Sequence, residues 1–145
     1  MKIAVRYQSR GGNTKAAAKV IAREAGAVAL SIDEPLKEPV DLLFIGGGVY
    51  LWDADPELIT FIRQLEPSQA GRIADFATSG RMSSTNSRIR KLAAEKGIPV
   101  CSKGLSMKLL LQGHSGLKRE GGHLTEKQIE TLRKFTRETI QEAGS

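Results

Sequence analysis

Ser9, Arg10, Gly11, Gly12, Asn13 and Thr14 follow directly on a short apolar run, Ile3 to Tyr7. A hydroxyl- and glycine-rich turn between a strand and a helix leaves backbone N–H groups pointing outward at the helix N-terminus. Those donors, with the positive end of the helix dipole, suit a phosphate. Arg10 adds a cation inside the same turn. A second glycine-rich stretch, Gly46 to Trp52, follows a later apolar run and holds Gly47, Gly48, Val49, Tyr50, Leu51 and Trp52. It sets two large aromatic rings beside glycines, which suits stacking on a flat heterocycle. A third stretch, Thr78, Ser79, Gly80 and Arg81, offers small polar groups for the edge of such a ring. The combined chemistry is that of a flat aromatic ring with a phosphate tail.

The elements that must position these stretches alternate along the chain. Strands are predicted at 2–7, 27–32, 40–45, 73–77 and 98–103. Helices are predicted at 13–25, 55–65, 83–96 and 125–142. Asn13 or Thr14 is expected to cap the first helix and Gly26 to end it. Asp55-Pro56 marks the start of the second. Thr125 and Gln128 form a capping box for the last, whose Ile129, Leu132, Phe135 and Ile140 fall near one face. Val40 to Ile45 is almost continuously apolar, as expected of a central strand buried on both faces. Alternating strands and helices imply βαβ units and a parallel sheet covered on both sides. In such a sheet, ligands bind beyond the carboxyl ends of the strands, where the three stretches would meet. Residues 104–124, with five glycines and both histidines, read as one long irregular loop.

The chain has 145 residues, 40% of them hydrophobic and 26% charged. That is enough for one domain with a core of its own, over 1–145. No apolar run is long enough to span a membrane, and the N-terminus enters a strand pattern containing Arg6 rather than a signal peptide. Cys101 is the single cysteine, so no internal disulfide can form, which fits a reducing cytoplasm. It reads as a small buried residue of a strand. His114 and His123 have no metal-ligand spacing, and Asp53 and Asp55 read as caps rather than catalytic acids. The net charge is +6, unevenly spread. Residues 1–75 hold 9 Lys/Arg against 10 Asp/Glu, and residues 76–145 hold 13 against 6. The basic second half would steer anionic partners. Nucleic acid is not the expected one, because no aromatics are interleaved with the basic residues.

Taken together, these stretches resemble the flavodoxin family over nearly the whole chain. Ser9, Gly12 and Thr14 match that family's phosphate-binding pattern, and Gly11 stands where a hydroxyl residue is usual. Asp41 to Tyr50 looks like its third strand and flavin-contacting loop, and Gly122 to Thr125 like its C-terminal end. The resemblance implies a three-layer, doubly wound α/β fold with a five-stranded parallel sheet in the order 2-1-3-4-5. It implies FMN as cofactor, held by the three stretches named above, with Tyr50 or Trp52 stacking on the ring and no catalytic side chain. The implied function is to carry electrons between partner proteins. The basic charge departs from acidic carriers and points to an acidic redox partner. Two other readings stay open. One is a flavin-dependent oxidoreductase of the quinone or protoporphyrinogen type, with 104–124 as a substrate lid. The other is a binding module that has lost the flavin.

Overall fold

The computed structural model describes residues 1–50, 53–78, 84–107 and 124–145, with Val49 and Tyr50 described by their backbone alone. Its elements in chain order are β1 (Ile3–Tyr7), α1 (Asn13–Ala25), β2 (Ala29–Ser31), β3 (Leu42–Gly47), β4 (Val49–Tyr50), β5 (Asp53–Ala54), α2 (Pro56–Gln64), β6 (Ile73–Ala77), α3 (Ser84–Lys96), β7 (Leu105–Ser106) and α4 (Glu126–Gly144). Five parallel strands form one sheet in the order β2-β1-β3-β6-β7. Counted within that sheet the order is 2-1-3-4-5, the expected one. β4 and β5 form a small antiparallel ribbon of their own, in a stretch expected to be loop.

Side chains alternate across the sheet and build a core on each face. Leu43, Ile45 and Ile73 meet Leu58 and Ile62 of α2 and Ile89 and Leu92 of α3. Leu42, Phe44, Ala74 and Phe76 meet Ala18 and Ile21 of α1 and Leu132 and Phe135 of α4. Phe44 and Phe135 pack edge to face, 6.0 Å between ring centres. All six residues of β3 are buried, as its unbroken apolar character requires. Asp55 caps α2, Thr125 and Gln128 close a capping box on α4, and Gly26 ends α1. No helix among the described residues is long and apolar enough to cross a membrane.

Three expectations are corrected. α1 has no side-chain cap: Gly12 holds the cap position at φ 94, and neither Asn13 nor Thr14 caps. The Ser9 hydroxyl accepts the Gly12 N–H instead (3.0 Å), closing the turn before the helix begins. The fifth strand is not 98–103. Val100 makes one isolated bridge to Ile73, the chain leaves the sheet, and β7 pairs again only at Leu105–Ser106. Leu105 and Ser106 therefore belong to the sheet rather than to the long loop, of which 108–123 lie outside the described residues.

Asp75 causes that break. Its carboxylate sits in β6 with no solvent exposure. Asn86 and Arg90, one turn apart on α3, donate to it at 2.8 Å each. A Cβ at Gly104 would collide with the same carboxylate, so the edge chain passes it only as a glycine. Arg90 also donates to the Cys101 carbonyl (3.0 Å), a group the interrupted strand leaves without a ladder partner. Cys101 is fully buried, and burial pushes its thiol up to about 11, in keeping with a structural residue. On the other side of the break, the Ser102 N–H and hydroxyl both donate to the Glu142 carboxylate at 2.8 Å. Those bonds hold the Glu142 pKa below the usual value of 4.5.

Removing one partner of a buried charge pair leaves the other stranded. Arg90→Leu is expected to cost about 2–3 kcal/mol, less than a fully buried pair because solvent reaches Arg90. Lys2→Ala, which breaks an exposed pair with Glu38, is expected to cost under about 0.5 kcal/mol. Urea unfolding of both variants checks the contrast. Glu142 adds a pH dependence. Its folded pKa is depressed, so its contribution is complete above about 4.5 and is lost as pH falls through the folded value. Glu142→Gln should flatten that part of the stability–pH curve.

Candidate functional site

The carboxyl ends of β1, β3 and β6 converge because these strands are neighbours in the sheet. Each is followed by one of the stretches singled out in the sequence. The Gln8 N–H donates to the Gly46 carbonyl (3.0 Å), so the first stretch leaves the sheet beside the second. The Thr78 N–H donates to the Gly47 carbonyl (3.3 Å), and the Thr85 hydroxyl to the Gly48 carbonyl (2.9 Å). The third stretch and the start of α3 are thereby fastened to the second.

Thr14 and Thr78 join the first stretch to the third. Their hydroxyl oxygens lie 2.8 Å apart, and the two residues are only 3% and 7% exposed. In the sequence Thr14 reads as a phosphate ligand and Thr78 as a ring-edge group; the structure makes them direct partners. Arg10 ties the first stretch to α2. Its Nε donates to Asp55 Oδ2 at 2.6 Å. Asp55 Oδ1 accepts the Glu57 N–H, so both carboxylate oxygens of this 4%-exposed side chain are engaged. The Arg10 side chain itself is 56% exposed. Arg88 pairs with Asp53 at 2.9 Å, fastening α3 to the ribbon.

The three glycines at the end of β3, Gly46 and Gly47 within it and Gly48 just after, have different uses. A Cβ at Gly46 would strike the Phe76 carbonyl and ring, and one at Gly47 would come within 2.9 Å of Leu58. Those two are glycine because neighbouring elements press on them. Among the described residues, a Cβ at Gly48 would meet nothing closer than the Thr78 hydroxyl at 3.9 Å, so none of their atoms presses on it. Ser9, Arg10, Gly11, Gly12, Asn13, Thr14, Gly47, Gly48 and Thr78 thus gather at one end of the sheet, and the backbone of Val49 and Tyr50 continues from it. Leu51, Trp52, Ser79, Gly80 and Arg81 lie outside the described residues.

A flavodoxin domain model matches residues 4–143. The chain belongs to the flavodoxin family. That membership marks it as a flavin-type redox protein, with a flavin as the implied cofactor. No curated protein sequence matches the chain. Among solved structures, this flavodoxin-family chain is similar to the rubredoxin oxygen:oxidoreductase of the anaerobe Desulfovibrio gigas (TM-score 0.72, 12% identity, 99% of this chain and 36% of that one). It is also similar to a flavodoxin from the domain Archaea (TM-score 0.64, 18% identity, all of both chains). A short-chain flavodoxin associated with a non-canonical PDU bacterial microcompartment is a third (TM-score 0.66, 14% identity, 99% of both). At these identities the likeness is one of fold. The chain spans about a third of the length of the D. gigas oxidoreductase.

The residues present fit a flavin carrying a phosphate. The first stretch offers N–H groups at the start of a 13-residue helix, a guanidinium and the Thr14 hydroxyl, paired with that of Thr78 from the third, which are mostly donors. The nearby Asp55 has both its oxygens engaged. Sequence reasoning passed over Asp55 as the anchor of Arg10. The available signal was its position as a cap, which sets a buried carboxylate at the same sheet end. Asp55→Ala is expected to lose the cap and the anchor together, about 1–2 kcal/mol in urea unfolding. Asp55→Asn, which keeps a capping oxygen, should lose measurably less.

Proposed function

We propose that this chain is an FMN-binding redox protein that carries electrons between partner proteins. One observation carries the reading: three stretches of complementary chemistry are fastened together at the carboxyl end of a doubly wound sheet. Family membership supports the same conclusion. In this reading the N-terminus of α1, with Ser9, Gly12, Asn13 and Thr14, holds the phosphate, and Arg10 adds a cation beside it. Gly48, with no side chain of its own, lies beside the ring. Tyr50 or Trp52 stacks on it and excludes water from one face. Ser79, Gly80 and Arg81, which follow Thr78, address its polar edge. The flavin supplies the electron chemistry when bound, and the protein supplies binding, orientation and electrostatics.

The partner in this reading is an acidic redox protein. The second half of the chain carries the charge excess that would steer it, an effect that weakens with ionic strength. The cytoplasm is the proposed setting, with the single cysteine buried and undisposed to pair.

The test is the visible spectrum of the purified protein, followed by titration with FMN. Flavin absorption, or quenching of FMN fluorescence on addition of the colourless protein, is the expected result. Trp52→Ala or Tyr50→Ala should relieve the quenching, and the one that does so identifies the stacking ring. A folded protein that ignores FMN would make it a flavin-free binding module. Turnover of a quinone by the flavin-loaded protein, without a partner, would make it an oxidoreductase in its own right.

A further inference from the structure

Thr14 and Thr78 each carry one hydroxyl hydrogen, and the bond between them uses one of the two. No acceptor among the described residues takes the second. Both residues are more than nine-tenths buried. A buried donor without an acceptor costs free energy, and native structures rarely keep one without a use. The pair lies at the N-terminus of α1, with the Thr78 hydroxyl 3.9 Å from where a Cβ at Gly48 would stand. The surplus hydrogen is therefore available to a ligand oxygen at that place.

We propose that Thr78 is a phosphate-positioning residue: it donates to Thr14, so that the Thr14 hydroxyl is turned to give its own hydrogen to an anionic oxygen at the start of α1. The proposal rests on the FMN reading above and assigns Thr78 to the opposite end of the ligand from the ring edge. Two hydroxyls in series polarise each other, so the outer one becomes the better donor. The relay also links occupation of the first stretch to the geometry of the third. Thr78 opens the third stretch, and its N–H is already fixed on Gly47. The hydroxyl bond adds a second constraint, one whose direction a phosphate would set.

The experiment compares FMN with riboflavin, which has the same ring and no phosphate, by fluorescence titration. Wild-type protein that binds neither would overturn the FMN reading itself, before any variant is made. Given FMN binding, Thr78→Val is expected to weaken FMN about tenfold and riboflavin less than about twofold. Thr78→Ser, which keeps the hydroxyl, should stay within about twofold of wild type for both. The double variant Thr14→Val/Thr78→Val should bind FMN no more than about twofold more weakly than Thr14→Val alone, because the two hydroxyls act as one unit. Equal losses for FMN and riboflavin would place Thr78 at the ring and overturn the proposal. So would full FMN affinity in Thr78→Val, or independent, multiplying losses in the double variant. If Thr78→Val does not fold, Thr78→Ala takes its place in the same comparison, with the same outcomes deciding.

Discussion

Asp75 brings a carboxylate into β6 at a point no solvent reaches, and much of this half of the fold answers to it. A buried charge needs both a counter-charge and hydrogen bonds. α3 supplies them from one face, with Asn86 and Arg90 a single turn apart. That requirement fixes the rotation of α3 against the sheet, and so sets Thr85 where it reaches the Gly48 carbonyl. The edge chain yields too, passing the carboxylate as Gly104 and pairing again only at β7. The interaction is thus one of register: it decides which turn of α3 and which residue of the edge lie opposite β6.

Much of this architecture is legible in the sequence because each element carries its own local signal. Val40 to Ile45 reads as a doubly covered strand by composition, Asp55-Pro56 as a helix start by backbone chemistry, and Thr125 with Gln128 as a capping box by spacing. The strand order came from a family resemblance, since no local signal encodes which strands are neighbours. The fifth strand was misplaced because Ile98 to Lys103 has strand-like residues, while its interruption depends on a carboxylate some 25 residues earlier. The signal was present in Asp75 itself: an ionisable residue amid Ile73, Ala74, Phe76 and Ala77 must find partners.

The candidate site was legible as three stretches and illegible as a connected object. Ser9 reads as a ligand hydroxyl from its motif position, yet here it accepts the Gly12 N–H and shapes the turn. Gly46, Gly47 and Gly48 read alike as glycines beside two aromatics, yet Phe76 presses on the first and Leu58 on the second. Arg10 reads as a cation for phosphate, and the structure adds Asp55 to hold it. In each case the residue type was informative and its partner was not, because the partner comes from another loop. Contacts at long sequence separation follow from topology, and topology follows from the core.

The break in the edge strand has a bearing beyond the single chain. A parallel sheet of this kind ends in two open rims of unpaired N–H and C=O groups, each a template on which a foreign strand can grow. Here one rim, β2, is three residues long and the other, β7, is two. Ahead of β7 the carbonyls of Cys101 and Ser102, left off the ladder, accept from the Arg90 guanidinium, and the Ser102 N–H donates to Glu142. The carboxylate that interrupts the strand thereby leaves that rim, among the described residues, little surface for strand addition, a form of protection against self-association written into the packing of its interior.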